Sequence, residues 1–206
     1  MFNFFKKKPK ANRLPDQVWM NTVTKYLNIC KLALSRQSSS QTAVLIYFFP
    51  KTGQVLQSTF QELGIGRVNT LEGVDTASTL FLVNAQLLEQ NQQKLAYLLN
   101  LPGVELFFAE HFPTLKREKE ILDKIKDIST QVPVTFHCSL DEPFFKTFGS
   151  ENIINLMLKM GMDESESISH NMINASIERA QAKIEEKVIA PLSADSAEEW
   201  MRINII

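Results

Sequence analysis

Four short apolar runs constrain this chain most: residues 42–50 (TAVLIYFFP), 79–84 (TLFLVN), 104–109 (VELFFA) and 132–140 (VPVTFHCSL). None shows helical periodicity, so each reads as a strand buried on both faces, as a parallel sheet requires. Pro133 belongs at the start of its strand, where a missing N–H does least harm. Helical patterns fill the gaps, at 54–63, 87–99 and 114–128. Ahead of the first run, Asp16 is placed to cap a helix reaching about Arg36, with Val18, Trp19, Val23, Tyr26, Leu27, Cys30 and Leu34 on one face. Strands alternating with helices predict a three-layer α/β domain with a mainly parallel sheet. After Leu140 the pattern turns helical, at 143–162, 169–189 and 194–203, and Pro191 closes the second of these. The expected organisation is a flexible basic and aromatic tail at 1–15, an α/β core at 16–142 and a helical appendage at 143–206 packing on the core.

A chain of 206 residues can bury a core without disulfides or metals. Its formal net charge of −1 argues against a nucleic-acid binder. Cys30 and Cys138 are far apart and read as reduced, buried side chains. His137 and Cys138 are neighbours on a strand and point to opposite faces, so they are not expected to share a metal. No apolar run has the ~18–20 residues of a membrane-spanning helix, and MFNFFKKKPK lacks the order of a signal peptide. A cytoplasmic location is expected. Phe2, Phe4 and Phe5 beside Lys6, Lys7, Lys8 and Lys10 have two readings. One is weak contact of residues 2–10 with an anionic membrane surface at its inner face. The other is a tail whose phenylalanines cover a patch of its own domain.

Catalytic motifs are sparse. A phosphate-binding loop needs G-x-x-x-x-G-K-[ST], because its backbone N–H groups and lysine hold the phosphates. None of the seven glycines is followed by lysine. The lone GxG at Gly64 and Gly66 follows a helix and reads as a helix stop. The strand ending in Asp141 and Glu142 looks like a Mg²⁺-handling Walker B pair, or else an acidic strand end that caps the next helix. His111 falls at the carboxyl end of a strand, where α/β proteins place ligands. No nucleophile motif accompanies it, so a turn histidine is the plainer expectation.

The stretch 135–185 carries a more specific signal. It contains SLDEPFF, Phe148-Gly149-Ser150, Met160-Gly161-Met162, Ile168-Ser169-His170 and SIERAQAKIE from Ser176 through Glu178 and Gln181 to Glu185. These resemble, in order and spacing, the end of the second nucleotide-binding domain of the SecA preprotein translocase ATPase family and the start of its scaffold helix. LNICKLALSRQSSSQTAVLIYFFPKTGQVLQSTFQELGI resembles the opening of the same RecA-like domain. The resemblance implies a RecA-like fold and a tie to protein translocation. It marks Phe148, Gly149, Ser150, His170, Ser176, Glu178 and Gln181 as packing or interface candidates.

The chain also departs from that family. Where the family carries AGRGTD, this chain reads TASTLFLVNAQLL. Where it carries QxxGRxGRxGD, with arginines that reach the ATP phosphates, this chain reads TLKREKEILDKIKDI, which has the single arginine Arg117 and no glycine. The expectation is a non-catalytic, SecA-like interaction module without cofactor, metal or nucleic acid. Its partner would be a protein, either a translocase component or a P-loop ATPase. One alternative is a split ATPase half completing a nucleotide site in trans, with Lys116, Arg117, Asp141 and Glu142 as its weak candidates for nucleotide contact; a further alternative is a peripheral membrane accessory factor, carried by Phe2 to Lys10.

Overall fold

The structure, a computed structural model, describes residues 12–66, 68–71, 78–147, 163, 165–169 and 171–205. Among the described residues, six strands form one sheet. They are β1 (Asn12–Arg13), β2 (Gln17–Trp19), β3 (Ala43–Tyr47), β4 (Leu80–Asn84), β5 (Glu105–Phe108) and β6 (Pro133–Ser139). The spatial order is β1-β6-β5-β3-β4, with β2 also on β6, and every strand pairing is parallel. The α/β class expected from the apolar runs is therefore present. Pro133 is the first residue of β6, as its missing N–H demands.

Side-chain alternation along the strands sorts the two faces. Val44, Ile46, Phe81, Val83, Phe108 and Phe136 point to one face. It is covered by α3 (Ala85–Gln90), α4 (Gln92–Leu99) and α5 (Leu115–Ile128). Ala43, Leu45, Leu80, Leu82 and Phe107 point to the other. There α1 (Thr22–Ser38) contributes Ile29, Cys30 and Ala33, and α2 (Pro50–Glu62) contributes Leu56 and Phe60. A third apolar cluster joins Val18, Phe49 and Leu140 to α6 (Pro143–Thr147), α7 (Asn171–Glu185) and α8 (Ala197–Asn204).

Three local expectations change. Asn12–Arg13 pairs with Pro133 and Val134 of β6, so the sheet begins inside the segment read as a tail. Two residues are too short to show a strand pattern in sequence. Asp16 does not cap α1. Gln17–Trp19 is a strand, and Asn21 is the N-cap, accepting from the Thr24 N–H. Asn and Asp serve equally well as caps, so local chemistry could not choose between them. The helix expected at 87–99 is two helices meeting at Asn91, whose side chain caps the second by accepting from the Lys94 N–H.

Gly64 stops α2 with φ +83°, a conformation glycine adopts without steric cost. Phe148, Gly149, Ser150 and His170, with most of the helix expected at 143–162 and all of 2–10, lie outside the described residues.

Candidate functional site

Parallel α/β sheets bind ligands at the carboxyl ends of their strands, where helix N-termini present unpaired N–H groups. In this chain three of those helix starts are already engaged by its own carboxylates. Asp141, just past β6, accepts from the Thr22 N–H at 3.0 Å and the Thr22 hydroxyl at 2.7 Å, at the start of α1. Glu110, just past β5, accepts from the N–H groups of Phe48 and Phe49 at 2.8 and 3.0 Å and from the Thr52 hydroxyl at 2.6 Å, at the start of α2. Glu185 of α7 accepts from the Lys116 N–H at 3.1 Å, at the start of α5.

Asp141 thus anchors α1 across the sheet instead of capping the helix that follows it. Burial opposes its charge, but the Thr22 donors hold its carboxyl below the usual range. Asp141→Ala is expected to cost about 1–2 kcal/mol, the value of a lost helix cap. The midpoint of urea unfolding measures it.

Glu142 turns inward to Lys25. This lysine, on α1, is 0% exposed; its ammonium donates to the Ala109 carbonyl at 2.7 Å and pairs with the Glu142 carboxylate. Burial opposes the lysine charge, and Glu142, Tyr26 and Glu110 outweigh it, so its pKa is raised. Burial raises the pKa of Glu110 despite its donors.

His111 lies beside this pair. Its Nδ1 is 2.9 Å from Glu118 Oε1 and its Nε2 is 3.3 Å from Asp16 Oδ2. Glu118 Oε1 also accepts from the Phe112 N–H at 2.7 Å, and Asp16 is paired with Arg13 at 3.0 Å. Burial opposes the imidazolium, but Glu118 and Asp16 outweigh it and raise its pKa well above the usual value. With a carboxylate near each nitrogen the ring is favoured as a cation: Nδ1 is hydrogen-bonded to Glu118, while Nε2 meets Asp16 by charge at 3.3 Å without a formed hydrogen bond. His111 is therefore an internal tie among β5, α5 and the β1–β2 connection.

Two clefts open at this edge. One, of about 430 Å³, lies against Tyr26, Thr52, Glu110, Asp141, Glu142 and Lys146. The other, of about 780 Å³, lies between Asn84, Lys116 and Arg117 on one side and 188–194 on the other. The four weak nucleotide candidates are thus split, with Asp141 and Glu142 in the first cleft and Lys116 and Arg117 in the second. Arg117 is held by Glu89 and by Glu120 at 3.5 Å.

Of the described motif residues, Gln181 is fully buried and donates to the Phe112 carbonyl at 2.8 Å. Ser176 accepts from Arg179 at 3.1 Å, and Glu178 reaches Arg13 at 3.8 Å on the surface. Sequence reasoning missed Lys25, Glu110, Glu118 and Glu185. A lysine and three glutamates on helices or strand ends look like solvated charges until the pairing of distant segments is known.

Among the described residues no cluster of three or more His, Cys, Asp or Glu is arranged to hold a metal, and no helix is long and apolar enough to cross a membrane. Burial pushes the Cys30 thiol up to about 12 and the Cys138 thiol up to about 11.

These features define an α/β protein with a parallel sheet at whose carboxyl edge three helix starts are held by the chain's own carboxylates. The chain matches no protein-family model. It carries a SecA-related segment. It is 53% identical over 51 residues to the protein translocase subunit SecA of Christiangramia forsetii, covering 25% of this chain and 5% of that protein. The SecA of Acidithiobacillus ferrooxidans is 46% identical over 52 residues, covering 25% and 6%. That of Chlorobaculum tepidum is 46% identical over 55 residues, covering 27% and 5%. The match therefore spans about a twentieth of the length of these curated relatives. Among solved structures, the C-terminal part of the Fun30 ATPase domain aligns with a TM-score of 0.41 at 10% identity, covering 79% of this chain and 54% of that one.

Proposed function

We propose that this chain is a non-catalytic, SecA-related interaction module that works in protein translocation. The SecA-related segment supports the tie to translocation. The observation that carries the non-catalytic part is the occupancy of the carboxyl edge. Asp141, Glu110 and Glu185 hold the starts of α1, α2 and α5, where an anionic ligand would otherwise find its N–H donors. A phosphate entering there would displace a carboxylate that is already hydrogen-bonded and would meet its negative charge. The proposed partner is a protein, a translocase component or a P-loop ATPase.

The test is nucleotide binding and turnover on the purified chain. The expected result is no ATP hydrolysis above the buffer rate and no calorimetric signal for ATP or ADP with Mg²⁺. A turnover that survives further purification and disappears in an Asp141→Ala, Glu142→Gln variant would falsify the non-catalytic reading. Turnover seen only after a P-loop partner is added would establish the split-ATPase alternative. The division of its four candidate residues between two clefts weighs against that alternative.

A further inference from the structure

The segment after α7 is built as a detachable unit. Asn204 is 93% buried by its surroundings, being only 7% exposed, and it staples the unit together. Its Oδ1 accepts from the Leu192 N–H at 2.6 Å, and its Nδ2 donates to the carbonyls of Leu192 and Trp200 at 3.1 and 2.9 Å. Residues 192–205 therefore form a closed arm around α8. The arm docks through Trp200, which is 2% exposed. The indole meets the Phe112 ring edge-on at 5.2 Å and packs in the cluster of Phe49, Phe144, Phe145 and Ile184. One backbone bond, from the Lys51 N–H to the Asp195 carbonyl at 3.0 Å, completes the seat. A single buried aromatic anchor in an apolar socket is the usual form of an interface hot spot.

The connection between arm and body is weak. Residues 189–191 are exposed and make no hydrogen bond to any other described residue. Ile189 is 97% exposed and Leu192 62%, although both are large apolar side chains. They stand over the 780 Å³ cleft, which separates them from Asn84, Lys116 and Arg117. The single chain thus leaves its hinge apolar, solvated and stood off from the body.

We propose that the 192–205 arm exchanges between two copies of this chain, each Trp200 seating in the partner's socket. The socket needs no new complementarity, because the same arm fits the same groove in either connection. Exchange of an identical element is a low-cost route to a dimer. Only the hinge differs between the two forms. In the exchanged form two copies of 189–191 run past each other at the two-fold axis, and Ile189 and Leu192 of both chains lose contact with water. Burial of that apolar surface is the driving force. The inference stands apart from the translocation reading and does not depend on it.

The experiment uses the full chain. Light scattering after gel filtration is expected to show a dimer of about 47 kDa, twice the 23.5 kDa chain, growing in as concentration rises towards ~0.2 mM. Two single variants, Lys51→Cys and Asp195→Cys, are then mixed at that concentration, partly unfolded and refolded together, and oxidised. Both positions are exposed and touch through the backbone bond above, and oxidation follows complete refolding, when Cys30 and Cys138 are buried. A disulfide joining one variant to the other is expected, because only an exchanged arm brings position 195 of one chain to position 51 of another. The double variant, which cross-links in either form, controls for reach. Ile189→Ser with Leu192→Ser leaves the socket intact and is expected to weaken the dimer at least about tenfold. A chain that stays monomeric at ~0.2 mM overturns the proposal. So does a dimer in which the double variant cross-links only within chains and the mixed single variants do not cross-link.

Discussion

Replacing Lys25 with alanine is expected to cost about 3–5 kcal/mol of folding stability, the usual cost of breaking a buried ion pair by removing one partner. Against a total of ~5–15 kcal/mol for a domain, that leaves a marginal fold. The loss has four sources. The Glu142 carboxylate keeps its charge without its cation, the Ala109 carbonyl loses its donor, and a fully buried lysine stem leaves a cavity. Tyr26 loses the ammonium that lies 4.3 Å from its ring centre. Lys25→Met with Glu142→Gln is expected to recover most of the loss. It fills the volume and removes both charges, while Glu110 keeps its donors from Phe48, Phe49 and Thr52. Urea unfolding of the three proteins is decisive. A Lys25→Ala midpoint within ~0.5 kcal/mol of the parent would mean that the pair carries no net stabilisation.

Stability is expected to peak near pH 6.5 and to fall on both sides, with one buried histidine limiting each. His137 is 1% exposed; burial, and then the nearby Lys25 charge, lowers its pKa from 6.5 to about 3. Its Nδ1 accepts from the Trp19 indole N–H at 3.3 Å, so the neutral ring is the form that fits. Between pH 6.5 and 3 the unfolded chain takes up a proton that the folded chain refuses. Stability therefore falls as pH falls through that window, by up to ~4 kcal/mol. Asp16 and Asp141, whose pKa values are lowered, add their loss below about 3.8. Glu110, raised by burial, works the other way in acid and softens the slope.

On the alkaline side His111 governs. Its folded pKa lies well above 6.5, so its contribution is complete below 6.5 and is lost as pH rises through the folded value. Once neutral, the ring can donate to only one of Asp16 and Glu118, and two buried carboxylates remain. Urea unfolding from pH 4 to 9 tests both limbs. His137→Gln keeps an acceptor for Trp19 without titrating, and it is expected to flatten the acid limb alone. An acid limb of unchanged slope in that variant would remove His137 as its cause.

The legible part of the molecule was the part set by local periodicity. The four apolar runs became β3, β4, β5 and β6, because a strand buried on both faces must be apolar throughout. The helices at 54–63 and 114–128 were found within a few residues for the same reason. The stop at Gly64 was legible too, since a left-handed residue after a helix favours glycine. β1 and β2 were invisible because two or three residues hold no period and owe their conformation to the edge of β6.

The candidate site was far less legible. Asp141 and Glu142 drew notice as an acidic strand end. Asp141 proved to hold a helix start 119 residues away in sequence, and Glu142 a buried lysine 117 residues away. His111 read as a turn residue, and only the approach of Asp16 and Glu118 made it a buried cation. Neither Glu110 nor Glu185 was read as an anchor, since a glutamate becomes one only when a distant helix presents its N–H groups.

By itself the sequence determined the α/β class, the main strands and helices and the SecA-related segment, because these rest on side-chain patterns and matches that are local along the chain. Only the tertiary structure decided which charges are buried, which helix starts are occupied and where the 192–205 arm lies. Those depend on pairings between residues far apart in the chain, and neither periodicity nor residue type encodes a distance in space.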